Sequence, residues 1–240
     1  MITCSRRTTT EIHHFSQCVM LFNQKLSQHI CPSDRDPLWA TAALLGIMTI
    51  ASFDAVTTEE AWPLRPSNPL DLEWFRLGDG KKIIWRLTDP LRPGGIFRAM
   101  AHEYAQLPFE IPLAGTKGVP SELAEVCNMD SSCNENNNPY FVAVHVLVQL
   151  QKLPTDQTAS IRMVSFMSQS QQPFRDLLQE KDPVALLLLA LWYAQASRVL
   201  WWIAQRARIE SRSIRLYLEK FHRHNIKVHR LLPPPLLGTE

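Results

Sequence analysis

The chain has 240 residues, 45% of them hydrophobic, which is enough apolar content to bury a sizeable core in one domain. Its nearly balanced net charge of +2 excludes a protein that binds nucleic acid through overall charge alone. Five widely spaced cysteines without a CxxC pair argue against a disulfide framework and a zinc site of the usual spacing, so we expect free thiols in a reducing compartment.

The first 36 residues predict a lead-in segment ahead of the main domain. They begin MITCSRRTTTEIHHF, which lacks the apolar stretch of a secretory signal, so we expect a cytoplasmic or nuclear protein. Residues 11–28 fit one amphipathic helix. Its apolar side consists of Phe15, Cys18, Val19, Phe22 and Leu26.

Asp36-Pro37 predicts the start of a helix over 37–53, because aspartate caps a helix N-terminus and proline suits its first position. Residues 54–95 differ, since prolines break this segment repeatedly while tryptophans keep it apolar. We expect a compact, ordered Pro/Trp-rich loop region there, with short helices or turns, followed by a helix over 96–107.

The polar tract NMDSSCNENNN predicts a flexible loop over 127–138. Residues 140–153 are ambiguous, because their valines favour a strand whereas their length and apolar spacing favour a helix. We predict a helix, since no partner strands are evident elsewhere. Two further helices are predicted over 160–170 and 173–180.

A long apolar run over 182–222 reads DPVALLLLALWYAQASRVLWWIAQRARIESRSIRLYLEKFH. A helix that is apolar nearly all round lies either in a core or in a membrane. A membrane span needs about 20 uninterrupted apolar residues, and here Gln195, Ser197 and Arg198 interrupt the run. We therefore predict no membrane span and an all-α irregular bundle with a central, buried helical hairpin. The domain is expected over 37–232, and its tail over 233–240.

Three blocks of the sequence carry a family likeness. They are LWATAALLGIMTIASF with AWPLRPSNPLDLEWFRLGDGKKIIWRLTDPLR, then Phe174, Leu177 and Leu178 with KDPVALLLLALWYA, and finally WWIAQRARIESRSIRLYLEKFH. The first block contains Trp62-Pro63-Leu64, Asp71-Leu72-Glu73-Trp74, Gly80-Lys81 and Pro90-Leu91-Arg92. In order and spacing, over 37–107 and 160–232, the blocks resemble the C-terminal regulatory domain of fungal zinc binuclear cluster transcription factors, particularly sterol uptake control proteins.

The resemblance implies a helical domain that, in the sterol-sensing members, holds a lipid in an apolar pocket. In those proteins, ligand binding is coupled to nuclear entry and to activation of transcription. Such factors also carry an N-terminal cysteine-rich zinc cluster that reads DNA, which this sequence lacks, and Ser211 stands where relatives often have a cysteine. We expect no direct nucleic-acid binding by this chain, which is either an excised regulatory domain or a short protein freed from DNA binding.

The tryptophans are many for this length, and indole rings suit a pocket for a rigid hydrophobic ligand because they combine large apolar area with one polar handle. We predict a hydrophobic, sterol-like ligand, no cofactor and no metal. The predicted ligand-binding residues are Trp39, Phe53, Trp62, Trp85, His145, Trp192, Tyr193 and Trp202. The alternative is that the tryptophans only anchor the core and the loops.

Two other functions remain open. The sequence has no hydrolase serine elbow, P-loop or dinucleotide-binding fingerprint. A stand-alone cyclase or isomerase of fungal secondary metabolism could still use the same pocket as a template. Its acid/base candidates are His102, Glu103, Tyr104 and His145. The third possibility is a protein-interaction module that forms homodimers through exposed apolar helix faces.

Overall fold

The computed structural model describes residues 7–105, 108–153 and 157–236. Within these ranges the chain forms eleven α-helices and no strand, which confirms the predicted all-α class. The α-helices are α1 (Thr9–Leu26), α2 (Arg35–Ala51), α3 (Glu73–Thr88), α4 (Ala101–Ala105), α5 (Ser121–Val126), α6 (Phe141–Leu150), α7 (Gln157–Gln169), α8 (Gln172–Gln179), α9 (Pro183–Val199), α10 (Ala204–Phe221) and α11 (Ile226–Leu231). Short 3-10 helices cover Pro32–Asp34, Ile96–Met100 and Trp201–Ile203.

Helices α9 and α10 form the predicted hairpin. The Asp182 carboxylate caps α9 by accepting hydrogen bonds from the backbone N–H groups of Val184 and Ala185, at 3.0 and 2.9 Å. Residues 185–190 are at most 1% exposed, so α9 has no solvent face over this stretch. The 3-10 turn at Trp201–Ile203 reverses the chain, and α10 packs back along α9. The apolar run is therefore the centre of the core.

The remaining helices form two hydrophobic cores of unequal size. The larger one surrounds α9, against which α6, α7, α8 and α11 pack. The smaller one lies between α2 and α3, where Trp39, Ala42 and Ile84 are buried. Side chains that cover this smaller core are Phe22, Leu26, Trp85, Phe97 and Tyr104. Since α3 also packs on α7, the two cores meet along a seam beside α3.

The structure differs from the expected loop region at α3, which is a helix of 16 residues inside segment 54–95. The prolines that suggested a loop stand outside it, because Pro69 precedes the helix and Pro90 follows it. The helix ends at Asp89, whose φ of 42° is left-handed and stops the helical path. Helix α3 therefore interrupts the Pro/Trp-rich region and supplies one wall of the site described below.

The segment over 127–138, predicted to be a flexible loop, is a compact set of turns. Cys127 and Cys133 are 0% and 8% exposed. The Asp130 carboxylate accepts hydrogen bonds from the backbone N–H and hydroxyl of Ser132, at 2.8 and 2.7 Å, and the Asn138 amide donates to the Cys127 carbonyl at 3.0 Å. The polar residues of this segment form turns, because their short side chains make hydrogen bonds to nearby backbone groups.

The chain ends pack differently from each other. Helix α1 has no buried residue, and an ion pair between Arg7 and Asp54 ties its start to the segment after α2. At the other end, Leu236 packs against the larger core. The domain limits at 37 and 232 stay a prediction. Over the described ranges, no helix combines the length and apolarity needed to cross a bilayer.

Candidate functional site

A cleft of about 360 Å³ opens at the seam between the two cores, and we call it the indole cleft. Helices α2, α3, α4 and α7 and the 3-10 turn before α10 supply its walls. The lining residues are Trp39, Gly46, Ile47, Ile50, Trp74, Lys81, Lys82, Trp85, Arg86, Tyr104, Ile161, Val164, Ser165, Met167, Ser168 and Trp202. Segments that lie far apart in the sequence thus meet around one aromatic space.

Helical periodicity explains how α2 and α3 line this space. Residues seven positions apart on a helix lie two turns apart on the same face, and a further four positions add another turn. Trp39, Gly46 and Ile50 follow this spacing on α2. The matching positions on α3 are Trp74, Lys81 and Trp85. Each helix therefore directs one stripe of side chains into the cleft.

Three aromatic rings form the end of the indole cleft beside α4. The ring centroids of Trp39 and Trp85 lie 5.0 Å apart at 82°, and those of Trp85 and Tyr104 lie 4.9 Å apart. Burial raises the pKa of the Tyr104 hydroxyl, which a hydrogen bond with the Trp39 side chain partly offsets. The Trp39–Trp85 contact is edge-on and the Trp85–Tyr104 contact is tilted at 44°, so the three rings support one another as an end wall.

Lys81 is a partly buried cation in this aromatic setting. Its Nζ lies 5.9 Å from the centroid of the Trp39 ring, and its Cε lies 3.8 Å from the position that a Cβ would occupy at Gly46. The lysine stem therefore passes beside Gly46 at a distance where a methyl group would make an ordinary van der Waals contact, whereas a longer side chain would extend into the cleft. Desolvation by burial lowers the pKa of the Lys81 ammonium group. Among the described residues, no carboxylate or hydrogen-bond acceptor pairs with that ammonium.

A second, larger cleft of about 790 Å³ has a different character, and we call it the charged cleft. Its lining is Arg7, Phe15, Thr49, Ser52, Phe53, Asp54, Ala55, Glu60, Trp62, Arg65, Leu70, Asp71, Glu73, Trp74, Arg206 and Glu210. The arginines are paired with carboxylates in the same lining. The pairs are Arg7–Asp54, Arg65–Asp71 and Arg206–Glu210.

The base of the charged cleft is a buried hydrogen-bond network around Arg206. Its Nε donates to the Ile50 carbonyl at 2.7 Å, its Nη2 to the Ser52 carbonyl at 3.0 Å and its Nη1 to a Glu210 carboxylate oxygen at 3.0 Å. The Tyr193 hydroxyl donates to the other oxygen of Glu210. Desolvation raises the pKa of Glu210, and the nearby Arg206 opposes that shift. With its donors engaged, Arg206 holds the end of α2 against α10.

The structure distributes the predicted ligand-binding residues over four places. Trp39, Trp85 and Trp202 line the indole cleft. Phe53 and Trp62 line the charged cleft. Trp192 and Tyr193 lie in the core, and His145 lies under the loop that precedes α5. The structure thus places three of the eight predicted residues in the indole cleft, and their role in ligand binding stays a prediction.

Trp192 and Tyr193 are 0% exposed and line neither cleft, contrary to the expected pocket wall. Trp192 stacks between Phe166 and Trp74, with ring centroids at 5.5 and 5.9 Å. Its indole N–H donates to the Met163 carbonyl at 3.0 Å. Trp192 and Tyr193 therefore anchor the larger core from the central helix α9. The indole ring and the N–H group of Trp192 both make their contacts inside the protein.

The four acid/base candidates do not share one cleft. His145 is 3% exposed, and its Nε2 lies 3.1 Å from the Gly115 carbonyl, to which it donates. Burial lowers the pKa of His145. His102 is exposed on α4, and Tyr104 is the member of the set that lines the indole cleft, while Glu103 lines neither cleft.

Sequence reasoning missed Trp74, Lys81 and Gly46 as cleft residues. A signal was present, because α2 and α3 share the spacing described above and Lys81 stands between two tryptophans on an otherwise apolar stripe. Reading segment 54–95 as a loop hid this stripe. Trp74 lines both clefts, and its indole N–H is buried without a hydrogen-bond acceptor in the described part of the chain.

Comparisons of the chain with family models, with curated proteins and with solved structures found no match. Any functional proposal for this chain therefore depends on the geometry of the two clefts. Within the described residues, no group of three or more His, Cys, Asp or Glu side chains is placed to hold a metal ion.

Proposed function

We propose that the chain is a ligand-sensing regulatory domain that binds a hydrophobic small molecule in the indole cleft. The observation that carries this proposal is the aromatic lining of the cleft by Trp39, Trp74, Trp85, Tyr104 and Trp202. Its volume of about 360 Å³ lies toward the lower end of the range of roughly 300–1,000 Å³ that small-molecule sites occupy. Walls that are mostly apolar and aromatic favour a rigid, largely hydrophobic ligand.

The position of the cleft supports a regulatory role. A ligand there contacts α2 and α3 on one side and α7 on the other, so it bridges the two cores. Such a ligand favours the packing in which these helices stand closest, and it shifts the population by its difference in affinity between packings. The resemblance to fungal transcription regulators supports the same role and makes a sterol the first ligand to test.

Native mass spectrometry tests the proposal directly. The chain is purified from a fungal host, and we expect a co-purifying hydrophobic compound, or a thermal shift when ergosterol or smaller polycyclic compounds are added. Gly46→Leu should abolish the effect, because a side chain at this position extends toward the Lys81 stem and fills the cleft. Gly46→Ala should bind as the original does, since its Cβ meets Lys81 at an ordinary 3.8 Å.

Ala55→Leu is the matched control, because Ala55 lines the charged cleft and not the indole cleft. It should retain binding. Binding that is lost in Ala55→Leu but kept in Gly46→Leu would move the site to the charged cleft. No bound compound and no thermal shift with any polycyclic probe would refute the proposal.

A further inference from the structure

The two clefts differ in how their charges are balanced. In the charged cleft, Arg7, Arg65 and Arg206 face carboxylates in the same lining. Among the described residues, the lining of the indole cleft contains two lysines and an arginine and no aspartate or glutamate. An apolar cleft with an uncompensated positive charge is selective for the sign of its ligand's charge.

The three cations of the indole cleft are not equivalent. Lys82 is exposed, and its Nζ donates to the Ser168 carbonyl at 3.0 Å and lies 3.5 Å from an Asp79 carboxylate oxygen. Arg86 is exposed at the rim, where solvent screens its charge. Lys81 is the partly buried one, and within the described ranges its ammonium has no anionic partner. The cation that a bound ligand can reach away from bulk water is therefore Lys81.

The surroundings of Lys81 hold its ammonium at the aromatic surface. The Nζ sits 5.9 Å from the Trp39 ring centroid, and the stem passes beside Gly46. A cation over an indole face gains some stabilisation, but a partly desolvated ammonium also gains from an anion that replaces its lost water. Burial lowers the pKa of Lys81 because desolvation disfavours the charged ammonium. An anion beside the ammonium would stabilise the charged form again.

We propose that the ligand of the indole cleft is an aromatic or polycyclic amphiphile with an anionic head, a carboxylate in the simplest case, which pairs with Lys81 Nζ while its apolar body lies between the indoles. This inference depends on the proposed function, since it names the chemical class of ligand for the same cleft. A neutral alcohol, such as a sterol, accepts a weaker hydrogen bond at the same point and leaves the lysine charge unpaired.

A matched pair of probes tests the inference by isothermal titration calorimetry at neutral pH. Naphthalene-2-carboxylate and naphthalen-2-ylmethanol share one apolar body and differ in the charge of the head. We expect the carboxylate to bind the original chain about tenfold to a hundredfold more tightly than the alcohol, the range that a charge-assisted hydrogen bond supplies.

Lys81→Met keeps an unbranched apolar stem without the charge, so it should bind both probes with equal affinity. Lys81→Arg should retain most of the preference for the carboxylate, because it retains the cation. Lys117→Met is the control, since Lys117 is exposed and lines neither cleft. It should behave as the original chain does.

The outcomes separate the two proposals. Equal affinity of the original chain for both probes overturns the anionic head but leaves a hydrophobic ligand in place. A preference for the carboxylate that survives Lys81→Met overturns the role of Lys81. Failure of both probes to bind the original chain overturns the inference, and failure of ergosterol and the smaller polycyclic compounds as well refutes the proposed function too. The first and third outcomes need no variant, so they hold even if a substitution impairs folding.

Discussion

Arg206 and Glu210 show how a charged pair is accommodated without solvent. Their side chains are 10% and 5% exposed, and each has further partners: Arg206 donates to two carbonyls at the C-terminal end of α2, and Glu210 accepts from the Tyr193 hydroxyl. A buried ion pair is weak support for stability on its own, but removing one partner leaves the other charge uncompensated. The pair therefore fixes how the end of α2 meets α10.

Arg206→Met should lower the free energy of unfolding by about 3–5 kcal/mol, because Glu210 and two backbone carbonyls lose their donor inside the protein. Urea unfolding monitored by circular dichroism measures the change. Arg208→Met, two positions along the same helix and exposed, should change stability by less than about 0.5 kcal/mol. Equal effects of the two substitutions would show that the network does not hold the fold.

His145 couples stability to pH. Burial lowers its pKa in the folded chain below the value of about 6.5 in the unfolded chain, so the unfolded state binds the proton more readily. The contribution of His145 is fully present above about pH 6.5 and is lost as the pH falls through the folded-state pKa. In His145→Gln, the free energy of unfolding should therefore fall less on acidification below pH about 6.5 than in the original chain.

Urea unfolding at a series of pH values checks this expectation. His224→Gln serves as the control, because His224 is exposed after α10. It should leave the pH dependence as it is in the original chain. Parallel curves for His145→Gln and the original chain would mean that His145 is not the group responsible.

Helix α9 depends on its N-cap residue, Asp182. The Asp182 carboxylate caps two backbone N–H groups and accepts a hydrogen bond from the Tyr140 hydroxyl at 2.9 Å, which links the start of α9 to α6. Asp182→Ala should lower the free energy of unfolding by about 1–3 kcal/mol, the sum of a lost cap and a lost side-chain hydrogen bond. Chemical denaturation provides the measurement.

Two variants separate the contributions at this cap. Asp182→Asn keeps an acceptor oxygen and should retain most of the stability. Tyr140→Phe removes only the link to α6, and its cost should be about 1 kcal/mol. A cost in Asp182→Asn equal to that in Asp182→Ala would point to the negative charge rather than to the cap.

Local signals in the sequence predicted some helices and missed others. Asp182-Pro183 and the apolar run after it identified α9, and Asp36-Pro37 identified α2 within two residues of its observed start. Helix α3 was missed because two glycines, Gly78 and Gly80, weaken its propensity and prolines flank it. Its stripe at positions 74, 81 and 85 gave only a weak local signal, and the helix also depends on packing against α2 and α7.

The candidate site was predictable only in part, because tertiary packing decides which tryptophans line a cleft. Tryptophan content indicated indole walls, and Trp39 and Trp85 do line the cleft. The sequence could not show which tryptophans face a cleft and which face other rings. Trp192 is buried by Phe166 and Trp74, which are distant in the chain, so its place in the core follows from tertiary packing alone.

For the whole molecule, the arrangement of two cores around one aromatic seam is the central feature. The larger core is closed by the stacked rings beside α9, whereas the smaller one meets it across the indole cleft. A ligand bound in that cleft raises the free energy of unfolding, and the rise grows with the logarithm of the ratio of ligand concentration to dissociation constant. Dimerisation through exposed apolar faces stays a prediction and is independent of this account.

The most direct test is urea unfolding with and without the naphthalene probe that binds more tightly, supplied at about 100 times its dissociation constant. We expect the free energy of unfolding to rise by about 2.7 kcal/mol in the original chain and in Ala55→Leu. We expect no rise in Gly46→Leu. An equal rise in Gly46→Leu, or no rise in the original chain, would contradict a ligand site in the indole cleft.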